Sequence, residues 1–206
     1  LVAFGALVVL LFWPEAVTGP SFQMSFAAVT VIVALAESHW FRALTHARDE
    51  AVVWKAARAL LGLFIVGVAV EIALMPIALF HFHQAGVLGA FANLVAIPLT
   101  TFVIMPGEAA ALALDLVGLG APLWWVTGQA LHVLLALAHA VSAQPIATWA
   151  LPYFPAEALA LVVLGGLWLV VWRTNARLLG LPLRAAGRVM MALATAPDVM
   201  VTGDGR

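Results

Sequence analysis

The amino-acid sequence predicts an all-α, polytopic integral membrane protein, and both its composition and the grouping of its apolar residues support this prediction. Of the 206 residues, 65% are hydrophobic and 9% are charged, whereas soluble domains usually contain about 25% charged residues. The apolar residues form runs that approach the length of about 20 residues that a helix needs to cross a bilayer. We expect a helical bundle of about six or seven spans, because only helices and closed barrels satisfy their backbone polar groups inside lipid.

Seven apolar segments are candidate spans, and turn-forming or charged stretches separate them. Residues 14–21 form a Pro- and Gly-containing break, and Pro20 and Ser21 favour the start of a helix after it. The candidate spans are residues 1–13, 22–37, 57–80, 86–118, 121–142, 156–172 and, with the weakest apolar character, 178–196.

Residues 38–58 lie between the second and third candidate spans and mix apolar with charged side chains. Trp40, Phe41, Leu44 and Trp54 recur at roughly helical spacing. This pattern predicts one amphipathic helix that lies along the membrane surface.

The candidate span 86–118 is too long for one perpendicular crossing, since each helical residue advances about 1.5 Å. Pro98 and Pro106 each remove a backbone donor and disfavour helix at the preceding residue. Two half-helices, or a helix followed by a re-entrant piece, are therefore expected, so that the bundle contains discontinuous, Pro-broken helices.

The last candidate span, 178–196, contains Arg184 and Arg188. A central arginine costs about 2.5 to 3.5 kcal/mol on membrane-insertion scales. Snorkelling of both side chains to the cytoplasmic surface would lower this cost. A helix that lies in the interface is the alternative.

The distribution of basic residues predicts the orientation of the chain. One cluster follows the second candidate span and another follows the sixth, and the positive-inside rule places both in the cytoplasm. The C-terminus then lies on the outer side if 86–118 makes one net crossing. The two clusters are Arg42, Arg48, Lys55 and Arg58, and Arg173, Arg177, Arg184 and Arg188.

Polar and helix-disrupting residues occur inside or at the ends of the apolar runs. In hydrocarbon, each polar group or interrupted turn needs a partner or a wet cavity. Interhelical hydrogen bonds in a closely packed bundle are the alternative to a pore-lining role. The candidate pore or broken-helix residues are Gln23, Ser25, Glu71, Pro76, His81, Gln84, Asn93, Pro98 and Pro106.

Glu71 is a carboxylate in the middle of a candidate span. Such a carboxylate is expected to have a structural partner or a proton-linked role. His132 and His139 are seven residues apart and therefore share one helix face. They are candidate partners for Glu71 or candidates to face a cavity, and packing or interfacial placement of both is the alternative.

Several classes of chemistry are excluded by what the sequence lacks. It has no cysteine, so disulfides and thiolate metal sites are absent. His81 and His83 are two positions apart and would point away from each other on a helix, so no metal site is predicted. No cofactor is predicted, and no common catalytic motif occurs, so this fragment is not expected to be an enzyme.

Three segments together resemble the ComEC competence proteins. They are WPEAVTGPSFQMSFAAV at Trp13–Val29, the run MPIALFHFHQAGVLGAFANLVAIPLTTFVIMP at Met75–Pro106, and APDVMVTGDGR at Ala196–Arg206. The order of the segments is the same as in that family. The resemblance implies a multi-pass protein of the bacterial inner membrane that is part of a channel for uptake of single-stranded DNA in natural transformation.

The resemblance also implies a domain organisation and a set of partners. Residues 1–196 would be the latter part of a transmembrane competence domain, truncated at its N-terminus. Residues 197–206 would begin a metallo-β-lactamase-like nuclease domain on the outer side. The implied partners are single-stranded DNA, membrane lipid, a cytoplasmic motor that pulls DNA, outer DNA-binding proteins and further copies of the chain.

Two other functions are compatible with the same residues. Discontinuous helices with an intramembrane carboxylate and histidines are also features of secondary transporters for small solutes. Alternatively, the region is a membrane scaffold that anchors an outward-facing nuclease domain without conducting anything.

Overall fold

The computed structural model describes residues 2–46, 49–150, 154–172 and 174–194, and helices dominate them. Two short strands, β1 and β2, form a two-stranded sheet. The elements are α1 (Val2–Phe12), α2 (Pro20–Glu37), α3 (His39–Thr45), α4 (Val52–Phe82), β1 (Gln84–Gly86), α5 (Gly89–Leu99), α6 (Met105–Asp115), α7 (Ala121–Ser142), β2 (Thr148–Ala150), α8 (Ala156–Val171) and α9 (Gly180–Leu193). Residues Pro14–Thr18 and Asn175–Leu179 form short 3₁₀ turns, and Thr100–Ile104 is π-helical.

Four helical segments among these residues are long and apolar enough to cross a membrane, and they confirm an all-α membrane fold. They are Pro20–Glu37, Val52–Phe82, Gly89–Asp115 and Ala121–Ser142. The helices α1 and α8 are also apolar but shorter. The predicted total of six or seven spans stays a prediction, because α1, α8 and α9 are each shorter than the about 20 residues of a perpendicular crossing.

The described residues belong to two compact units. The first unit is drawn from Leu1–Ser38, Ile72–Ala85 and Trp149–Arg206, and the second from His39–Glu71 and Gly86–Thr148. The long helix α4 therefore contributes its first part to the second unit and its last part to the first.

The core of the first unit forms around the last part of α4. Ile77, Leu79, Ala85, Phe154 and Leu159 are all buried there and contact one another. In this unit α8 packs along α9 and touches α2. In the second unit α7 packs against α6 and α5. Tight helix packing of this kind is the usual source of stability where lipid removes the hydrophobic driving force between helices.

The contact between α8 and α9 depends on glycines. A Cβ atom placed at Gly165 would lie 2.8 Å from the Gly180 carbonyl oxygen and 2.8 Å from Cγ of Arg184. A Cβ atom at Gly187 would lie 2.7 Å from the Ala158 carbonyl oxygen. The two backbones are therefore close enough that these positions have no room for a side chain.

The structure corrects two expectations about helix boundaries. Residues 38–58 do not form one amphipathic helix, because α3 ends at Thr45 and α4 begins at Val52. Asp49 and Glu50 lie in the interval. Aspartate favours helix ends over helix interiors, and Glu50 pairs instead with Arg58 of α4.

The prolines also disturb their helices less than expected. Pro76 lies inside the unbroken α4, and helical structure continues from Gly89 to Asp115 through Pro98 and Pro106. The break expected within 86–118, as two half-helices or as a helix followed by a re-entrant piece, is therefore not observed, because the π-helical residues Thr100–Ile104 join α5 to α6. Between the prolines the hydrogen-bond pattern widens, so that the Met105 amide donates to the Thr100 carbonyl. Such π-type adjustments allow a membrane helix to tolerate the loss of a backbone N–H donor at each proline.

The adjacent glycines Gly165 and Gly166 allow a matched test of the α8–α9 contact. Gly165→Ala should lower the free energy of unfolding by about 1 to 3 kcal/mol, because the added methyl overpacks the contact. Gly166→Ala should have little effect, since nothing lies within 4 Å of the new Cβ. Thermal unfolding midpoints of the detergent-solubilised protein check this, and equal midpoints for the two variants would contradict the close contact between α8 and α9.

Candidate functional site

Gln23 and His81 are two predicted site residues that the structure brings together in the first unit. The His81 Nε2 and Gln23 Oε1 atoms are 2.9 Å apart. The Gln23 Nε2 atom donates to the Val17 carbonyl oxygen at 3.0 Å. Because an amide oxygen only accepts hydrogen bonds, His81 donates from Nε2. The side-chain amide of Gln23 in α2 therefore links the last turn of α4 to α2 and to the 3₁₀ turn Pro14–Thr18.

His83 directly follows Phe82, the last residue of α4. Its φ angle is 57°, in the left-handed region, where histidine is several-fold enriched among residues other than glycine. Its amide donates to the Leu79 carbonyl at 3.1 Å. The segment from His81 to His83 is thus a helix terminus in which each histidine has a different structural contact.

Glu71 is the other predicted residue with a well-defined set of partners. Its Oε1 atom accepts a hydrogen bond from the Gly89 amide and its Oε2 atom one from the Ala90 amide, both at 2.9 Å. These are the first two residues of α5, whose amides have no partner within their own helix. A carboxylate at this end also interacts favourably with the helix dipole.

Close packing positions this cap within the second unit. A Cβ atom at Gly67 would lie 3.3 Å from Cα of Ala90, and the rings of Phe64 and Phe91 are 4.9 Å apart. The first turn of α5 therefore lies directly against α4. His132 and His139 were candidate partners for Glu71, whereas the contacts described for its carboxylate are to backbone amides.

The cap lies well inside the apolar part of α4. Glu71 follows Arg58, the preceding charged residue of the helix, by thirteen positions, which is about 20 Å along a helix axis. The hydrocarbon layer is about 30 Å thick. If Arg58 marks the edge of this layer, α5 begins within the layer rather than at its surface.

The other predicted residues are not gathered into one cluster. Ser25 and Gln84 are exposed in the first unit, where Pro76 lies within α4. Asn93 and Pro106 are exposed in the second unit. Pro98 and Pro106 flank the π-helical residues Thr100–Ile104. Their role in lining a pore stays a prediction.

Sequence reasoning missed a pair of cavities in the first unit. One has a volume of about 110 Å³ and the other about 290 Å³, and Pro76, Val162 and Arg184 line both. Trp149, Phe154 and Arg188 also line the larger cavity. The sequence signal for these cavities was the pair Arg184 and Arg188, four residues apart in an apolar run. From the sequence alone this pair indicated only that inserting the helix into the membrane would be costly.

Comparison with known proteins gives a class that agrees with this fold. The family described as "Competence protein" matches residues 1–176. ComE operon protein 3 of Bacillus subtilis (strain 168) is 31% identical over 109 residues, which are 52% of this chain and 12% of that protein. No solved structure matches the chain.

The fold and these matches define a helical membrane protein of the competence class. The chain belongs to the Competence protein family and is of the ComEC type. The matched segment is a small part of the curated relative's length.

Removal of the Glu71 carboxylate tests the cap. Glu71→Ala should lower the free energy of unfolding by about 1 to 3 kcal/mol, because two amide groups inside an apolar region lose their acceptor. Glu108→Ala is the control, since the described residues show no hydrogen bond for that half-buried carboxylate. Unfolding midpoints in detergent check the difference. Equal stability of the two variants would contradict a capping role.

Proposed function

We propose that this chain is part of an inner-membrane channel through which single-stranded DNA enters the cytoplasm. Membership of the competence class supports DNA as the cargo. The observation that supports conduction is that the amino end of α5 lies beside Glu71. The channel is passive, and a separate cytoplasmic motor pulls the strand.

The amino end of α5 is a polar feature in an apolar layer. Inside lipid, irregular backbone and charged side chains are tolerated only where they are buried in protein or line a water-filled cavity. Glu71 is half-buried, and Gly89 and Asn93 are exposed. These exposed polar groups favour a wet pathway beside α5 over complete enclosure by protein.

The carboxylate itself is a poor contact for DNA, because it repels phosphate. Both of its oxygens already accept hydrogen bonds from α5. Glu71 therefore supports the wall of the proposed pathway, and groups that bind the strand lie elsewhere.

The proposed orientation follows from the basic residues. Lys55 and Arg58, at the start of α4, lie on the cytoplasmic side under the positive-inside rule. In this arrangement residues 1–196 form the latter part of the competence domain and residues 197–206 lead into an outer nuclease-like domain. The expected start of that domain lies outside the described residues.

A secondary transporter for a small solute is the second candidate. The specific observation in its favour is that Glu71, a carboxylate in an apolar helix, accepts hydrogen bonds from the first amides of α5, since transporters with discontinuous helices also place helix ends at their substrate sites. In those proteins, however, the open helix end contacts the substrate. Here the amides of Gly89 and Ala90 already donate to Glu71. They are therefore not open to a solute, which favours the channel.

Deletion of the gene for the full-length protein tests the proposed function. In a naturally transformable host, deletion should abolish uptake of added DNA and leave binding of DNA to the cell surface intact. An unchanged transformation frequency would reject the channel. Solute uptake that depends on a proton gradient and is lost in Glu71→Gln would support the transporter instead.

The reactivity of an introduced cysteine tests whether water reaches the start of α5. The 206 residues contain no native cysteine, so none of them contributes background labelling. Leu88→Cys places a thiol at the residue before α5. It should react with a membrane-impermeant maleimide, because water allows the thiolate to form. Leu135→Cys, exposed in the middle of α7, is the control and should stay unreactive in lipid. Equal, slow labelling at both positions would show that no wet pathway reaches α5.

A further inference from the structure

Arg184 lies in an unexpected place for a charged side chain. Its Cγ atom is 2.8 Å from a Cβ placed at Gly165, the tenth of the sixteen residues of α8. From Ala158 to Val171 that helix has no charged residue. The Arg184 side chain therefore lies beside the middle of the apolar helix α8 rather than beside one of the ends of α8.

No carboxylate of the described residues forms a salt bridge with the guanidinium of Arg184. Its Nε atom is buried and has no hydrogen-bond partner in the described part of the chain. The described residues that line the two cavities beside it include no aspartate or glutamate. A buried N–H donor on a permanent cation is stabilised by an acceptor, and an anion is the acceptor that suits it best.

The larger cavity adds groups that suit a particular anion. Arg188 follows Arg184 by one helical turn and lines the same cavity, of about 290 Å³. Arginine forks bind phosphate oxygens in pairs. Trp149 and Phe154 also line this cavity, and Trp149 is 47% exposed. Arginines beside exposed aromatic rings are the combination that binds the backbone and bases of single-stranded nucleic acids.

We propose that Arg184 and Arg188 bind a phosphodiester group of the DNA strand in transit, while Trp149 stacks on a neighbouring base. This inference rests on the proposed channel function and adds a binding site to it. The location of Arg184 beside the middle of α8 favours a strand that crosses the membrane over a lipid phosphate, which lies in the headgroup layer. Intramembrane arginines of this kind commonly mark the path of a substrate.

Binding measurements on the full-length protein in nanodiscs test the site. The probe is a labelled oligothymidylate, and its association constant is measured at several salt concentrations. Each phosphate contact to a single strand contributes about 0.7 to the slope of the logarithm of the constant against the logarithm of salt concentration. Arg184→Met should therefore reduce this slope by about 0.7, and Arg184→Lys, which keeps the charge, should restore it.

Arg177→Gln is the matched control, since Arg177 is exposed in the 3₁₀ turn before α9 and lines neither cavity. Its salt slope should equal that of the natural protein. An unchanged slope for Arg184→Met overturns the proposal. Loss of co-purifying phospholipid from Arg184→Met, with an unchanged slope for DNA, would identify a lipid site and overturn it as well.

Transformation assays separate the failure of this site from the failure of the channel. Arg184→Met should reduce transformation about tenfold or more, the effect expected from one lost hydrogen bond to a charged group, while Arg184→Lys stays near the natural frequency at equal protein level. If deletion of the gene abolishes uptake but Arg184→Met transforms normally, only the binding site is rejected. If deletion itself has no effect, the channel and the site are both rejected.

Discussion

The two hydrogen bonds from the Gly89 and Ala90 amides to Glu71 are the interaction on which the functional interpretation depends. A helix can start inside an apolar layer only if its free amides find acceptors there. Glu71 supplies two acceptors from the neighbouring helix, and the small residues Gly67 and Gly89 allow the close approach. Without this carboxylate, α5 would have to start at the membrane surface or leave its amides unpaired.

Pro98, Pro106 and Glu71 all affect the backbone hydrogen bonds of one helical segment, residues 89–115. Pro98 and Pro106 remove donors from a helix that must remain helical in lipid, and the intervening π-helical turn redistributes the remaining hydrogen bonds. π-Helical turns are often found at functional sites. Residues 89–115 thus contain an internal helix start and a change of helical pitch, which a simple membrane anchor does not require.

The sequence predicts the helices well where long apolar runs end at clear turn signals. The candidate spans 121–142 and 156–172 match α7 and α8 almost to the residue. Boundaries inside continuous apolar or mixed stretches were less predictable, because tertiary contacts decide them. The start of α4 at Val52 is one example, since the Glu50–Arg58 pair lies beside it. The contacts of the candidate residues could not be read from the sequence either. Gln23 and His81 are 58 positions apart, and no pattern in the sequence indicates that their side chains pair. Glu71 accepts hydrogen bonds from backbone amides, and such contacts have no side-chain motif in the sequence.

The central claim is that DNA passes beside the start of α5. A photo-crosslinking amino acid at position 88 of the full-length protein, activated while a labelled strand is arrested in transit, tests this claim directly, with position 135 of α7 as the reference. The channel predicts that the strand crosslinks at position 88 and not at 135. Normal DNA uptake without a crosslink at position 88 would contradict it.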